Sequence, residues 1–194
     1  MGDERIQELE AEIERLKRLA YSDELTGVLN RRGFLHEAGA EFHLVSYGMT
    51  AVERRVGAQI PFAVVFCDLD DFKRINDTHG HAAGDLALTT VAAVFQQNLR
   101  QGDVIGRWGG EEFVVALIGA GAAYAERIAE KLRAALERAQ VVHAGVHIPL
   151  TGSFGVAAYE HNGTLDKLIE RADGAMYASK QAGKNRVTTA SEVR

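Results

Sequence analysis

Cysteine is almost missing from this chain of 194 residues: Cys67 is the only one. That excludes an intramolecular disulfide framework and a cysteine-rich zinc site. No run of 18 apolar residues occurs, so no transmembrane helix is expected. The opening MGDERIQELE has no apolar stretch of the kind a signal peptide needs, and Ile6 stands where N-myristoylation would require Ser or Thr. Positive charge is in deficit. The 22 Lys and Arg against 27 Asp and Glu leave a formal net charge of −5, which argues against an indiscriminate nucleic-acid binder. Internal repeats and low-complexity stretches are lacking as well. What remains is ordinary for one globular domain with an appendage: 46% hydrophobic and 25% charged residues. A domain of this length buries roughly 70% of its extended-chain surface. The expectation is a soluble, cytoplasmic protein with no nucleic-acid partner and no membrane segment.

Two regions differ in composition. Ten of the first twenty residues are charged, and Ile6, Leu9, Ile13, Leu16 and Ala20 recur at spacings of 3, 4, 3 and 4. That is a heptad seam with Ile at a and Leu at d, which favours parallel two-stranded coils. Arg5 and Glu12 then fall at g, and Glu10 and Lys17 at the following e positions, so both g-to-e pairs are of opposite charge. Residues 1–20 therefore read as a coiled-coil or stalk helix, with a solvated helix packed on its own domain as the alternative. Residues 21–194 read as the globular domain.

Within that domain the apolar spacing from Phe34 to Val56 is helical, including Met49 and Val52. Phe62–Cys67 is a short apolar run that reads as a buried strand. Gly84–Leu99 is helical, Val104–Trp108 and Phe113–Leu117 form a hairpin around Gly109 and Gly110, and Ala122–Ala139 is helical again. Ile148–Ala158 alternates as one strand. Thr164 caps a last helix that Gly183 stops, and a short strand follows near Arg186–Thr188. The sum is an α+β domain: one central sheet, a hairpin, and helices packed on it.

Four clusters could carry chemistry. Asp68 and Asp70 lie two apart at the end of an apolar strand, where they would share a face. Two such carboxylates suit Mg²⁺, which binds oxygen ligands and substrate phosphates together; a polar strand end entering a turn is the plainer reading. Lys73 and Asn76 follow within reach, Asp85 could cap the helix after Gly84, and His79 and His81 read as loop histidines. Second, Glu111 and Glu112 directly follow the two glycines. If the hairpin pairs with the Asp68 strand, one glutamate faces Asp68, and the glycines let a phosphate approach closely. Third, Lys180 and Lys184 stand one helical turn apart at a helix end. They either complement the helix dipole or hold a polyphosphate. Fourth, Arg100 and Asp103 flank Gly102 as a turn with a local ion pair.

Together these residues resemble the GGDEF domain, the catalytic domain of diguanylate cyclases. The family's loop stands here as Gly109-Gly110-Glu111-Glu112-Phe113, the GGEEF variant. Its opening motif stands as Asp23-Glu24-Leu25-Thr26-Gly27-Val28-Leu29-Asn30-Arg31-Arg32, and D-x-D-x-F-K-x-x-N-D-x-x-G-H-x-x-G-D runs from Asp68 to Asp85. Thr151-Gly152-Ser153-Phe154-Gly155 and Lys180…Gly183-Lys184-Asn185 also fit, so the resemblance covers residues 21 to about 188. It implies a mostly antiparallel central sheet surrounded by helices, like the palm of adenylyl cyclases and some polymerases. It implies two facing domains, each with one GTP, making cyclic di-GMP and two pyrophosphates as a homodimer. Asp68, Glu111 and the Leu69 carbonyl would hold Mg²⁺ (or Mn²⁺). Glu111, Glu112 and Lys73 would be catalytic. Phe72, Asn76, His81, Asp85, Gly109, Gly110, Lys180 and Lys184 would bind GTP. Arg100 and Asp103 match the family's R-x-x-D product-inhibition site for cyclic di-GMP, with Lys131 as a second basic contact. Lys184 departs from the arginine common in relatives, which keeps the charge and loses a bidentate grip.

Overall fold

The computed structural model describes residues 2–47, 60–160 and 163–190. Helix α1 spans Gly2–Tyr21 and leads through the two-residue strand β1 (Leu29–Asn30) into α2 (Arg31–Tyr47). The helical spacing continued in the sequence through Met49, Val52 and Val56, which lie outside the described residues. Strand β2 (Phe62–Leu69) is followed by α3 (Phe72–His79) and α4 (His81–Asn98), then by the hairpin of β3 (Val104–Arg107) and β4 (Glu112–Ile118). Helix α5 (Ala122–Glu137), a small hairpin of β5 (Val141–His143) and β6 (Val146–Ile148), strand β7 (Gly152–Ala158), α6 (Leu165–Gln181) and β8 (Val187–Thr189) complete the order.

The main sheet runs β1-β3-β4-β2-β7-β8. Its three inner pairings are antiparallel and its two outer ones parallel, so the expected α+β architecture holds. All eight residues of β2 are buried, because both faces are covered. Ala63, Val65, Cys67 and Leu69 pack with α4 and α5, while Phe62, Val64 and Phe66 pack with α2 and α6. An apolar run rather than an alternating one is what such a doubly covered strand requires. The single cysteine lies in this strand, and burial pushes its thiol well above the ordinary value. It is therefore a packing residue and an unreactive one.

Three sequence expectations change. Ile148–Ala158 is two strands in different sheets: Pro149 carries no N–H for a ladder, and the Thr151 carbonyl instead accepts from the Asp70 N–H at 2.9 Å. The one-face alternation survives the break, with Ile148, Leu150, Phe154 and Val156 in one cluster. The hairpin of β5 and β6, with Ala144 and Gly145 at φ 50° and 77°, was not anticipated. Helix α4 begins at His81 after Gly80, so Asp85 sits inside the helix and does not cap it. Thr164, by contrast, does cap α6, its hydroxyl accepting from the Lys167 N–H at 3.3 Å.

Along α1, Ile6, Leu9, Ile13, Leu16 and Leu19 are all about half exposed. Its charges pair within the helix, Arg5 with Glu8, Arg15 with Glu12 and Lys17 with Glu14.

Candidate active site

The site forms where β2 ends. Register puts Asp68 opposite Glu112 on one side and Ser153 on the other. Residues directly opposite in antiparallel strands share a face, so the glutamate facing Asp68 is Glu112. Glu111 comes alongside differently: its carbonyl accepts from the Leu69 N–H at 3.2 Å. The turn between the strands closes with the Trp108 N–H donating to the Glu112 carbonyl at 2.8 Å. Glu112 folds back beneath Gly109, whose missing Cβ would lie 2.3 Å from Oε2, whereas Gly110 faces open space. The first glycine thus makes room for a protein carboxylate, and the second leaves its face open.

Asp68 is buried. Its Oδ2 is 2.6 Å from the Lys180 ammonium, and its Oδ1 has no hydrogen-bond partner. Burial raises its carboxyl above the ordinary 3.8, with Lys180 pulling the other way and Asp70 and Asp173 adding to the rise. Glu111 and Glu112 are both raised above 4.5, first by burial and next by the charge of Asp68. Three carboxyls thus crowd one place with too little positive charge beside them. Among the described residues no three His, Cys, Asp or Glu side chains converge tightly enough to cage an ion alone. The donor set fits Mg²⁺, which takes one or two carboxylates and leaves its other positions to water and phosphate.

Asp70 does not share this face. Strand β2 stops at Leu69, and the Asp70 carboxylate accepts from the Thr151 hydroxyl (2.9 Å), the Ser153 hydroxyl (2.7 Å) and the Asn185 N–H (3.0 Å). It fastens β7 and the segment after α6 to the end of β2. Lys180 and Lys184 do not form one helical turn, because α6 ends at Gln181 and Lys184 has φ 63°. They still converge on one strand end, Lys180 at Asp68 and Lys184 at Asp71, 2.6 Å apart in each pair. Asp71 itself is left-handed, φ 55°, which turns the chain from β2 into α3. On α3, Lys73 is exposed, Phe72 is buried and Asn76 is half-buried. A Cβ on Gly84 would lie 2.0 Å from Asn76 Oδ1, so glycine there lets α4 lie against the Asn76 amide. His81 and Asp85 are exposed on the first turns of α4.

Sequence reading missed two participants. Asp173 on α6, seven residues before Lys180 and so on nearly the same helix face, adds negative charge near Asp68 and Glu112. Arg107 donates to both oxygens of Asp23 (3.2 and 3.1 Å) and to the carbonyls of Gly109 and Gly110. Its place two residues before Gly109 was the available signal.

Away from this site, Arg100 donates to Asp103 at 3.2 Å and to the Ile118 carbonyl, while the Asp103 side chain is buried. Lys131 donates to the Asn98 carbonyl at 2.8 Å and so caps the end of α4.

Residues 20–186 match the family described as diguanylate cyclase, GGDEF domain. Diguanylate cyclase DgcP of Pseudomonas aeruginosa is 37% identical over 178 residues, 92% of this chain and 25% of that protein. DgcM of Escherichia coli is 37% identical over 180 residues, 91% of this chain and 40% of that protein. The chain thus spans well under half the length of these curated relatives. Among solved structures, the coiled coil and GGDEF domain of DgcB from Caulobacter crescentus, in complex with c-di-GMP, superposes with a TM-score of 0.82 at 28% identity, covering 97% of this chain and 95% of that one. SiaD from Pseudomonas aeruginosa, in complex with its activator SiaC, gives 0.80 at 30% identity, covering 97% and 69%. With the family pattern matched from end to end of the globular part, on a sheet that carries its carboxylates and lysines to one strand end, the chain belongs to the diguanylate cyclase GGDEF-domain family.

Proposed function

We propose that this chain condenses two GTP into cyclic di-GMP and two pyrophosphates. Each nucleotide's 3′-hydroxyl forms a bond to the α-phosphorus of the other, and each α–β phosphoanhydride bond breaks. The observation that carries the reading is the unpaired Asp68 Oδ1 beside the whole Gly109–Phe113 loop, with Lys180 and Lys184 at the same strand end. Asp68, Glu111 and the Leu69 carbonyl would hold Mg²⁺ or Mn²⁺, which when bound neutralises charge on the phosphates. Glu111 accepts the hydroxyl proton, and burial and the charge of Asp68 raise its proton affinity above that of an ordinary carboxylate, the direction that favours a base. Glu112 supports the loop from beneath. Lys73 stabilises charge on the reacting phosphate, and Lys180 and Lys184 hold the β- and γ-phosphates. Asn76 and Asp85 read the guanine edge with Phe72 and His81 nearby, since a carboxylate accepts from N1–H and the 2-amino group that adenine does not offer.

One domain holds half of the reaction, so the working unit is a homodimer of facing sites. The exposed apolar stripe of α1 is the seam that would raise the effective concentration of the second copy. The Caulobacter relative, described with both a coiled coil and bound c-di-GMP, supports the dimer and the product as ligand. Arg100, Asp103 and Lys131 form the inhibitory product site. GTP as substrate sets the cytoplasm as the compartment.

Purified protein with GTP and Mg²⁺, followed by chromatography with mass detection, is expected to yield cyclic di-GMP at a rate per chain that rises with protein concentration. Accumulation should level off before GTP is spent, and Arg100→Ala should remove that plateau. GTP that survives at high protein concentration would overturn the cyclase reading.

A further inference from the structure

The segment from Ser22 to Arg31 is fastened at both ends. On one side Asn30 Nδ2 donates to the carbonyls of Ala20 and Ser22, at 3.1 and 3.2 Å, and so seals the end of α1. Its Oδ1 accepts from the Gly33 N–H at 2.9 Å, tying that end to α2. The contact is tight: a Cβ on Gly33 would lie 2.2 Å from the Tyr21 carbonyl oxygen. Helix α1 therefore cannot slide without moving the segment that follows it. Beside this joint lies a cavity of about 510 Å³ between α1 and α2, lined in part by Arg18, Tyr21 and His36.

On the other side the segment grips the catalytic loop twice. Asp23 pairs with Arg107, both side chains largely shielded at 21% and 17% exposure. Asp23 is itself fixed by accepting from the Thr26 N–H and hydroxyl. Every guanidinium nitrogen of Arg107 is engaged by the protein: Nη1 with Asp23, Nε with the carbonyls of Gly109 and Gly110, Nη2 with Gly110 at 2.7 Å. A cation so saturated is held for geometry, because it has little left to offer a nucleotide. Arg31 lies 4.4 Å over the Trp108 ring, which is packed edge-on against Phe34 and Phe66. Trp108 directly precedes Gly109.

We propose that Arg107 is a positioning residue for Glu111, and that residues 22–31 couple the direction of α1 to the placement of the Gly109–Glu111 turn. The kinetic part rests on the cyclase reading; the structural part does not. Holding the Gly109 and Gly110 carbonyls toward Arg107 sets the peptide planes that deliver Glu111 to Leu69. A tilt of α1 pulls Ser22 and Asp23, Arg107 follows its carboxylate, and the turn follows Arg107. Misplacement of a reacting group by about 1 Å costs on the order of a hundredfold in rate, so a small tilt suffices to regulate.

Trp108 is the chain's only tryptophan, so its emission reports the loop directly. In the full chain, Asn30→Ala, Asp23→Asn and Arg107→Lys are each expected to raise acrylamide quenching of Trp108. Each should lower kcat for cyclic di-GMP about tenfold or more, with KM for GTP changed far less. Asn30→Ala is the decisive variant, since the Asn30 side chain bonds to the end of α1 and to Gly33 of α2 and not to the loop, while its backbone pairing beside Arg107 is left in place. The double variant Asn30→Ala/Arg107→Lys should be no slower than Arg107→Lys alone, as for two residues acting in one chain of contacts. Wild-type quenching and kcat in Asn30→Ala, or fully additive losses in the double variant, would overturn the coupling. A wild-type protein that makes no cyclic di-GMP would refute the cyclase reading alone, and the quenching series would still decide the coupling. If Arg107→Lys does not fold, judged by circular dichroism, the isosteric Asp23→Asn and Asn30→Ala carry the test.

Discussion

Asp68→Asn is expected to lower cyclic di-GMP formation by at least 10²–10³-fold, on the order seen when one preorganised electrostatic group is removed, and yet to give a protein at least as stable as the wild type. Both halves come from the same observation. Asp68 is buried with one oxygen unpaired and a carboxyl raised above 3.8 by that burial. A raised acid binds its proton more tightly in the folded state than in the unfolded one. Its ionisation therefore subtracts stability as pH climbs from about 3.8 through the raised value, and the loss persists at neutral pH. Asparagine keeps the shape and never ionises. The melting temperatures of variant and wild type should coincide below pH 3.8 and separate above it in metal-free buffer, the variant melting higher. Mg²⁺ should raise the melting temperature of the wild type and not of the variant. A variant retaining a tenth of wild-type turnover would remove Asp68 from the chemistry. Sites that bind cations commonly trade stability for function in this way.

Gly155→Ala is expected to destabilise the fold by about 3 kcal/mol, the upper part of the range for overpacking, which is roughly 6–12 °C in melting temperature for a chain of this size. The new Cβ would lie 2.0 Å from the Ala172 carbonyl oxygen and 2.2 Å from the Met176 nitrogen. Both atoms are backbone, so no rotamer change relieves the clash and α6 must move off β7. Because α6 carries Asp173 and Lys180, turnover should fall as well. Gly174→Ala is the control: nothing lies within 4 Å of its would-be Cβ, and alanine is the better helix former by about 1 kcal/mol. Equal urea midpoints for Gly155→Ala and wild type would refute this packing argument.

The parts of the fold that were legible in the sequence are those whose cause is local. The apolar run of β2 shows its double coverage, the Gly109–Gly110 pair shows its hairpin, and Thr164 shows its cap. The parts that were not legible depend on distant partners. Ile148–Ala158 reads as one strand until Asp70 claims the Thr151 carbonyl. Asp70 reads as a twin of Asp68 until Thr151, Ser153 and Asn185 occupy it. Lys184 reads as one helical turn beyond Lys180 although Gly183 marks the helix stop, and only the structure shows the positive φ carrying on through Lys184 and Asn185. For the site, the resemblance named the residues, whereas the Asp68–Lys180 pair, the place of Glu112 beneath Gly109 and the grip of Arg107 on the turn needed the structure.

The register of β2 also bears on how the molecule comes into being. Asp68 sits between Glu112 and Ser153, and its lysine partner comes later still, from α6. The pairing of β2 with β7 closes a loop through α3, α4, the β3–β4 hairpin, α5 and the small hairpin. Pairings so distant in sequence are slow to form, because chain entropy is lost before the contacts repay it. The hairpin of β3 and β4 can form early on β2, but the strand end that carries Asp68, Glu111 and Lys180 is complete only when β7 and α6 have docked. During synthesis the chain therefore exposes Glu111 and Glu112 on a half-built sheet well before Lys180 arrives beside Asp68, and the candidate site is among the last parts of the molecule to be completed.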